Sequence, residues 1–130
     1  MFERRVSFSE KMFFTKHLAV MLKSGIPITD ILATLTAQAK SGAFKRILEQ
    51  VHADISRGKS LEKALSKHPK VFDLLYVSLI RIGEESGTLE GSLAYLTEQL
   101  EKESDLRKKV QSAMLYPALE RCQQHFDGDS

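Results

Sequence analysis

The chain has 130 residues, and its 19 basic and 17 acidic side chains leave a net charge of only +2. That length suits one domain, able to bury roughly two thirds of its unfolded surface. Near balance of charge argues against a dedicated nucleic-acid binder, which needs a basic surplus or stripe. A single cysteine, Cys122, excludes an intramolecular disulfide framework and a cysteine-rich zinc site. No run approaches the ~18 apolar residues of a membrane span. The opening Met1-Phe2-Glu3-Arg4-Arg5 lacks the apolar core of a signal peptide, so the chain as given is expected to be soluble.

Sparse Gly and Pro, with abundant Ala, Leu, Lys and Glu, favour helices over strands. Residues 1–8 read as a flexible N-terminal segment. Ser7 and Glu10 form a capping box for a first helix running to about Ser24, with Phe14, Leu18, Met21 and Leu22 inward. Gly25 ends it, and Gly25-Ile26-Pro27 turns into a second helix carrying Ile31, Leu32 and Leu35. After Ser41-Gly42 a third helix spans about Ala43 to Arg57, with Phe44, Ile47, Leu48, Val51 and Ile55 on one face. Gly58 stops it, and Ser60 caps a short fourth bearing Leu61, Ala64 and Leu65.

Pro69 and Asp73 lead into a fifth helix, apolar on nearly all sides and therefore expected at the centre of the domain. Helical periodicity puts Phe72, Leu75, Leu79, Ile82, Gly83 and Ser86 on one stripe, taken as the inward face, with Leu74, Val77 and Ile80 on the flanks and back. Gly83 costs roughly 1 kcal/mol relative to Ala inside a helix, so a close backbone approach or a special turn is expected there. Gly87 supplies a left-handed stop. A long sixth helix follows, marked by Leu89, Leu93, Leu96, Leu100, Leu106, Val110 and Met114 up to Tyr116-Pro117. The expected fold is an all-α, antiparallel six-helix bundle over residues 9–117, with a polar, disordered tail at 118–130.

No catalytic constellation stands out, so no enzyme activity, cofactor or metal site is expected. His17, His52, His68 and His125 are scattered and read as surface residues. Gly58-Lys59-Ser60 is no phosphate loop, because the earlier glycine and the preceding strand are missing. Glu84 and Glu85 pair with Arg81 and cap the sixth helix on one account; on another they form a partner-facing or cation-binding acidic spot. Val77, Arg81 and Glu84, opposite the Leu75–Leu79–Ile82 stripe, form a candidate interface. The basic run Arg107-Lys108-Lys109 suits the cytoplasmic end of a membrane span, or else a solvated face.

The stretch Gly83-Glu84-Glu85-Ser86-Gly87-Thr88-Leu89 resembles the signature of the cytoplasmic domain of type II secretion system F and type IV pilus platform proteins. Phe14 to Leu22, Gly25-Ile26-Pro27, Gly58-Lys59-Ser60-Leu61, Pro69 to Phe72 and Ala113 to Pro117 resemble further family segments in the same order. The motif residues carried over are Gly25, Pro27, Gly83, Glu84, Gly87, Leu89 and Pro117. The resemblance implies a noncatalytic adaptor at the cytoplasmic face of the bacterial inner membrane. It also implies a cytoplasmic assembly ATPase and other inner-membrane secretion or pilus components as partners, and a homodimer or higher oligomer. Family members run from the Tyr-Pro into a transmembrane helix, whereas the segment from Ala118 here is polar. Membrane attachment would therefore come only through segments outside this chain. A free-standing soluble helical interaction module is the alternative.

Overall fold

The computed structural model describes residues 6–115, with side chains to Ser112. The expectations for the first residues, for Pro117, for the tail with Cys122 and His125, and for the Met114 side chain lie outside the described residues. Within them there are six helices and no strand: α1 (Phe8–Lys23), α2 (Ile28–Gln38), α3 (Gly42–Ser56), α4 (Leu61–Ser66), α5 (Leu74–Ser86) and α6 (Leu89–Leu115). The all-α reading holds.

Local side-chain caps start α1, α3, α4 and α5. Ser7 and Glu10 complete the capping box on α1, Glu10 N–H donating to Ser7 Oγ at 3.1 Å and Ser7 N–H to Glu10 Oε1 at 3.2 Å. Ser41, Ser60 and Asp73 accept the backbone N–H three residues on, from Phe44, Lys63 and Tyr76. Glu10 also reaches across to α3. Its Oε2 accepts from Ser41 N–H at 3.2 Å and Ser41 Oγ at 2.8 Å, so one carboxylate ties two helix N-termini together. Desolvation pushes this carboxyl up, but the hydrogen bonds from Ser41 and Ser7 outweigh it and hold the group below its usual value.

Two compact units divide the chain: one runs to Glu98, the other begins at Gln99 within α6. In the first, neighbours in sequence are neighbours in space, with α1 against α2, α2 against α3, α3 against α4 and α4 against α5. Short connections between amphipathic helices dictate that arrangement. Phe14, Leu18, Ile31, Leu32, Leu48, Val51, Leu61, Leu65, Phe72, Ile80 and Leu93 are fully buried at its centre. In the second unit, Leu106 and Val110 are exposed and Arg107 pairs with Glu103 at 3.0 Å, one turn apart on the same helix.

An aromatic seam fixes α1 to α5. Phe14 meets Phe44 edge-on at 5.8 Å between centroids and Phe72 at 5.7 Å, and Phe72 meets Tyr76 at 5.0 Å. Thr15 gives its hydroxyl proton to the Lys11 carbonyl at 2.8 Å, so Tyr76 donates to Thr15 across a buried 2.7 Å contact. Burial pushes the Tyr76 phenol well above its ordinary range, against the Thr15 bond, which pulls the other way.

The orientation of α5 differs from the periodicity-based expectation. Tyr76, Val77, Ile80 and Gly83 are its buried residues, while Leu74, Leu75 and Ile82 are 82%, 66% and 51% exposed. The inward arc is rotated by about 100°, one residue, from the Leu79 direction. A helix with leucine or isoleucine on every side offers periodicity no contrast to read. The Tyr76 hydroxyl, which needs the Thr15 partner when buried, and Gly83, which needs a close neighbour, decide the rotation instead. Nor is α5 enclosed, because one apolar side faces solvent.

Candidate functional site

The Gly83–Leu89 hairpin is built from three separate physical requirements. The first is contact: a Cβ on Gly83 would lie 2.5 Å from Ser92 Oγ and 2.9 Å from Leu89 Cα, distances no side chain tolerates. Only glycine lets the end of α5 rest on the first turns of α6, which is the close approach the sequence expectation required. The second is chain reversal. Gly87 sits in the left-handed region at φ 70°, ψ 24°, and both its N–H and the Thr88 N–H, the latter at 2.8 Å, return to the Gly83 carbonyl. Nothing lies within 4 Å of a Cβ built on Gly87, so its requirement is conformational rather than steric.

Gly87→Ala is therefore expected to cost about 1 kcal/mol and Gly87→Val more, since a β-branched residue is a sharper misfit at positive φ. Thermal unfolding of the two variants beside the parent measures this; equal melting temperatures would remove the left-handed turn from the account.

The third requirement is met by Glu84. Its Oε2 accepts from Leu61 N–H at 2.8 Å and its Oε1 from Glu62 N–H at 2.9 Å. Ser60 Oγ takes only the next N–H, that of Lys63, so Glu84 supplies the acceptors that Ser60 leaves missing at the start of α4. A carboxylate at this positive helix end is also favoured electrostatically. Glu84 thus caps α4 rather than α6. Glu84 is half-buried, whereas Glu85 is exposed. Val77 is 9% exposed within the bundle, whereas Arg81 is exposed. The candidate trio Val77, Arg81 and Glu84 therefore does not form one open surface. Of the other motif residues, Gly25 ends α1 at φ 84°, Pro27 precedes α2, and Leu89 opens α6 half-buried.

Away from the hairpin, Asp54 is a buried carboxylate that the apolar pattern of α3 gives no reason to expect. Lys67 Nζ lies 2.9 Å from it, Lys59 Nζ 3.8 Å and an Arg57 guanidinium nitrogen 3.9 Å. The Lys67 hydrogen bond outweighs desolvation and, with the neighbouring cations, holds the carboxyl below its ordinary value. His68 is half-buried rather than on the surface, and its Nε2 is enclosed with no hydrogen-bond partner among the described residues. Burial lowers its pKa, against the pull of Asp54. His17 stacks on Phe13 at 3.8 Å and bonds the Phe13 carbonyl through Nδ1. A groove of about 380 Å³ opens where the N-termini of α1 and α3 meet the C-terminus of α2, beside Glu10, Phe13, Phe14, Leu35 and Ser41. Among the described residues no His, Cys, Asp and Glu group has the arrangement of a metal site, and no helix is long and apolar enough to cross a membrane.

Residues 14–120 match the family described as Type II secretion system (T2SS), protein F. The chain belongs to that family. It is 43% identical over 117 residues to the type IV pilus assembly protein PilC of Thermus thermophilus, covering 90% of this chain and 29% of that protein. It is 38% identical to PilC of Myxococcus xanthus, over 83% of this chain and 26% of the relative. Against the type II secretion system protein F of Vibrio cholerae identity is 32%, over 91% of this chain and 29% of the relative. The chain therefore spans less than a third of the length of these protein F and PilC relatives. In this family member the Gly83–Leu89 stretch has a structural explanation residue by residue: contact at Gly83, cap at Glu84, reversal at Gly87. Asp54 escapes sequence reasoning because nothing local marks it; its partner Lys67 comes from another helix end.

Proposed function

We propose that this protein F domain is a noncatalytic adaptor of a platform protein at the cytoplasmic face of the inner membrane. It couples a cytoplasmic assembly ATPase to pilin or pseudopilin assembly. The observation that carries this reading is the exposed side of α5. Leu74, Leu75 and Ile82 face solvent, Leu79 is half-buried beside them, and Arg81 falls within about 20° of Leu74 around the helix axis. Exposed apolar side chains gathered on one helix face mark protein contact surfaces, and a flanking arginine is typical of such surfaces. The opposite side of α5 is held by the Tyr76–Thr15 bond and the Gly83 contact. Names of relatives in both secretion and pilus assembly support the general role.

The occupant assigned to this face is the assembly ATPase, through an apolar patch bearing a carboxylate for Arg81. Leu75→Asp combined with Ile82→Asp is expected to leave helicity and melting temperature near the parent values, since both residues are already exposed. The same pair is expected to weaken capture of the cognate ATPase by more than about tenfold. Undiminished capture would overturn the assignment. Loss of self-association in sedimentation, with ATPase binding intact, would transfer the face to a homodimer.

A further inference from the structure

We propose that the corner between α3 and α4 is a docking site for an acidic peptide segment of a protein partner, seated along Arg46, Gln50 and Arg57 with one carboxylate between Arg57, Lys59 and Lys67. This surface is separate from the α5 face and does not rest on its assignment. Asp54 accepts a short bond from Lys67 alone; Lys59 at 3.8 Å and Arg57 at 3.9 Å stand beyond hydrogen-bond reach. Their side chains are nonetheless held together and open to solvent, Arg57 at 73% and Lys59 at 43% exposure. One buried carboxylate thus anchors an excess of positive charge without saturating it. The Lys67 ammonium crowds Lys59 and holds its pKa below the ordinary lysine value, which a second anion would relieve.

The shape favours a chain over a small ion. A depression of about 390 Å³ runs along α3 past Arg46, Glu49, Gln50, Asp54 and Arg57 to Lys67. From Arg46 to Arg57 the helix rise covers about 16 Å, the reach of roughly five extended residues. Glu49 within the depression repels a polyphosphate, while it accepts a backbone N–H or a basic side chain from a peptide. Gln50 offers both a donor and an acceptor to a peptide backbone. Alternating signs on a linear track give register and specificity to a peptide that carries carboxylates at one end.

A fluorescein-labelled hexapeptide with four alanines followed by two glutamates, titrated into the full chain and followed by anisotropy, tests the site. Saturable binding is expected at low salt, fading as salt rises. Arg57→Gln and Lys59→Gln should each weaken it by roughly two- to fivefold, the effect of one exposed ion pair. Arg57→Lys should retain most of the affinity, and Lys23→Gln, on α1 away from the corner, should change nothing. Four outcomes overturn the proposal. Binding is absent, Lys23→Gln weakens it as much as Lys59→Gln, Arg57→Lys is as weak as Arg57→Gln, or inorganic phosphate displaces the peptide at equal concentration, which would reduce the corner to a simple anion site.

Discussion

Gly83→Ala is expected to destabilise the domain by about 2 kcal/mol, within the usual range for overpacking a tight interior contact. For a domain of this size that corresponds to a fall in melting temperature of roughly 10 °C. The added Cβ meets Ser92 Oγ at 2.5 Å, which a rotamer change can relieve, but also Leu89 Cα at 2.9 Å, which is backbone and cannot turn aside. Ser92→Ala in the same chain should therefore recover only part of the loss. Intrinsic propensity pulls in the opposite direction, since alanine inside a helix is worth roughly 1 kcal/mol more than glycine. The sign of the measured change thus decides between packing and propensity. A variant as stable as the parent, or more so, would show that α5 and α6 do not touch at Gly83.

Glu84→Lys is expected to cost about 2–3 kcal/mol, because it removes two hydrogen bonds to a charged acceptor and sets a cation against the positive end of α4. On the periodicity reading, with Glu84 on an open rim, the same change would leave stability nearly untouched. Glu84→Gln, which keeps one carbonyl oxygen for either Leu61 or Glu62, should fall between the parent and the lysine variant. Amide hydrogen exchange provides a local check: the Leu61 and Glu62 N–H groups should lose protection before those of α2 or α3. If Glu84→Lys melts with the parent, the cap on α4 is not contributing and Glu84 returns to the open surface as a partner contact.

Those two residues also show what local sequence conveys. The starts of α1, α3, α4 and α5, and the turn glycines Gly25, Gly58 and Gly87, were legible because capping and left-handed turns act within about three residues along the chain. Ser7 with Glu10, Ser60, Asp73 and Gly87 each carry a signal and its physical cause in the same stretch. Amphipathic helices were legible as well: Phe14 and Leu18 in α1, Ile31, Leu32 and Leu35 in α2, and Leu61, Ala64 and Leu65 in α4 are buried as their spacing predicts. The all-α class and the family resemblance followed from these elements in order.

The rotation of α5, the reach of Glu84 to α4, and the burial of Asp54 beside Lys67 were settled only by tertiary structure. Each depends on groups distant in sequence, 61 residues for Thr15 with Tyr76 and 23 for Leu61 with Glu84. Periodicity identifies a buried side only where polar residues occupy the other, and α5 presents leucine or isoleucine to both. Its inward face was chosen by a hydroxyl that must find a partner and by a glycine that must find a neighbour. What remained outside, Leu74, Leu75 and Ile82, is apolar surface that the sequence could count but only the packing of the other helices could expose.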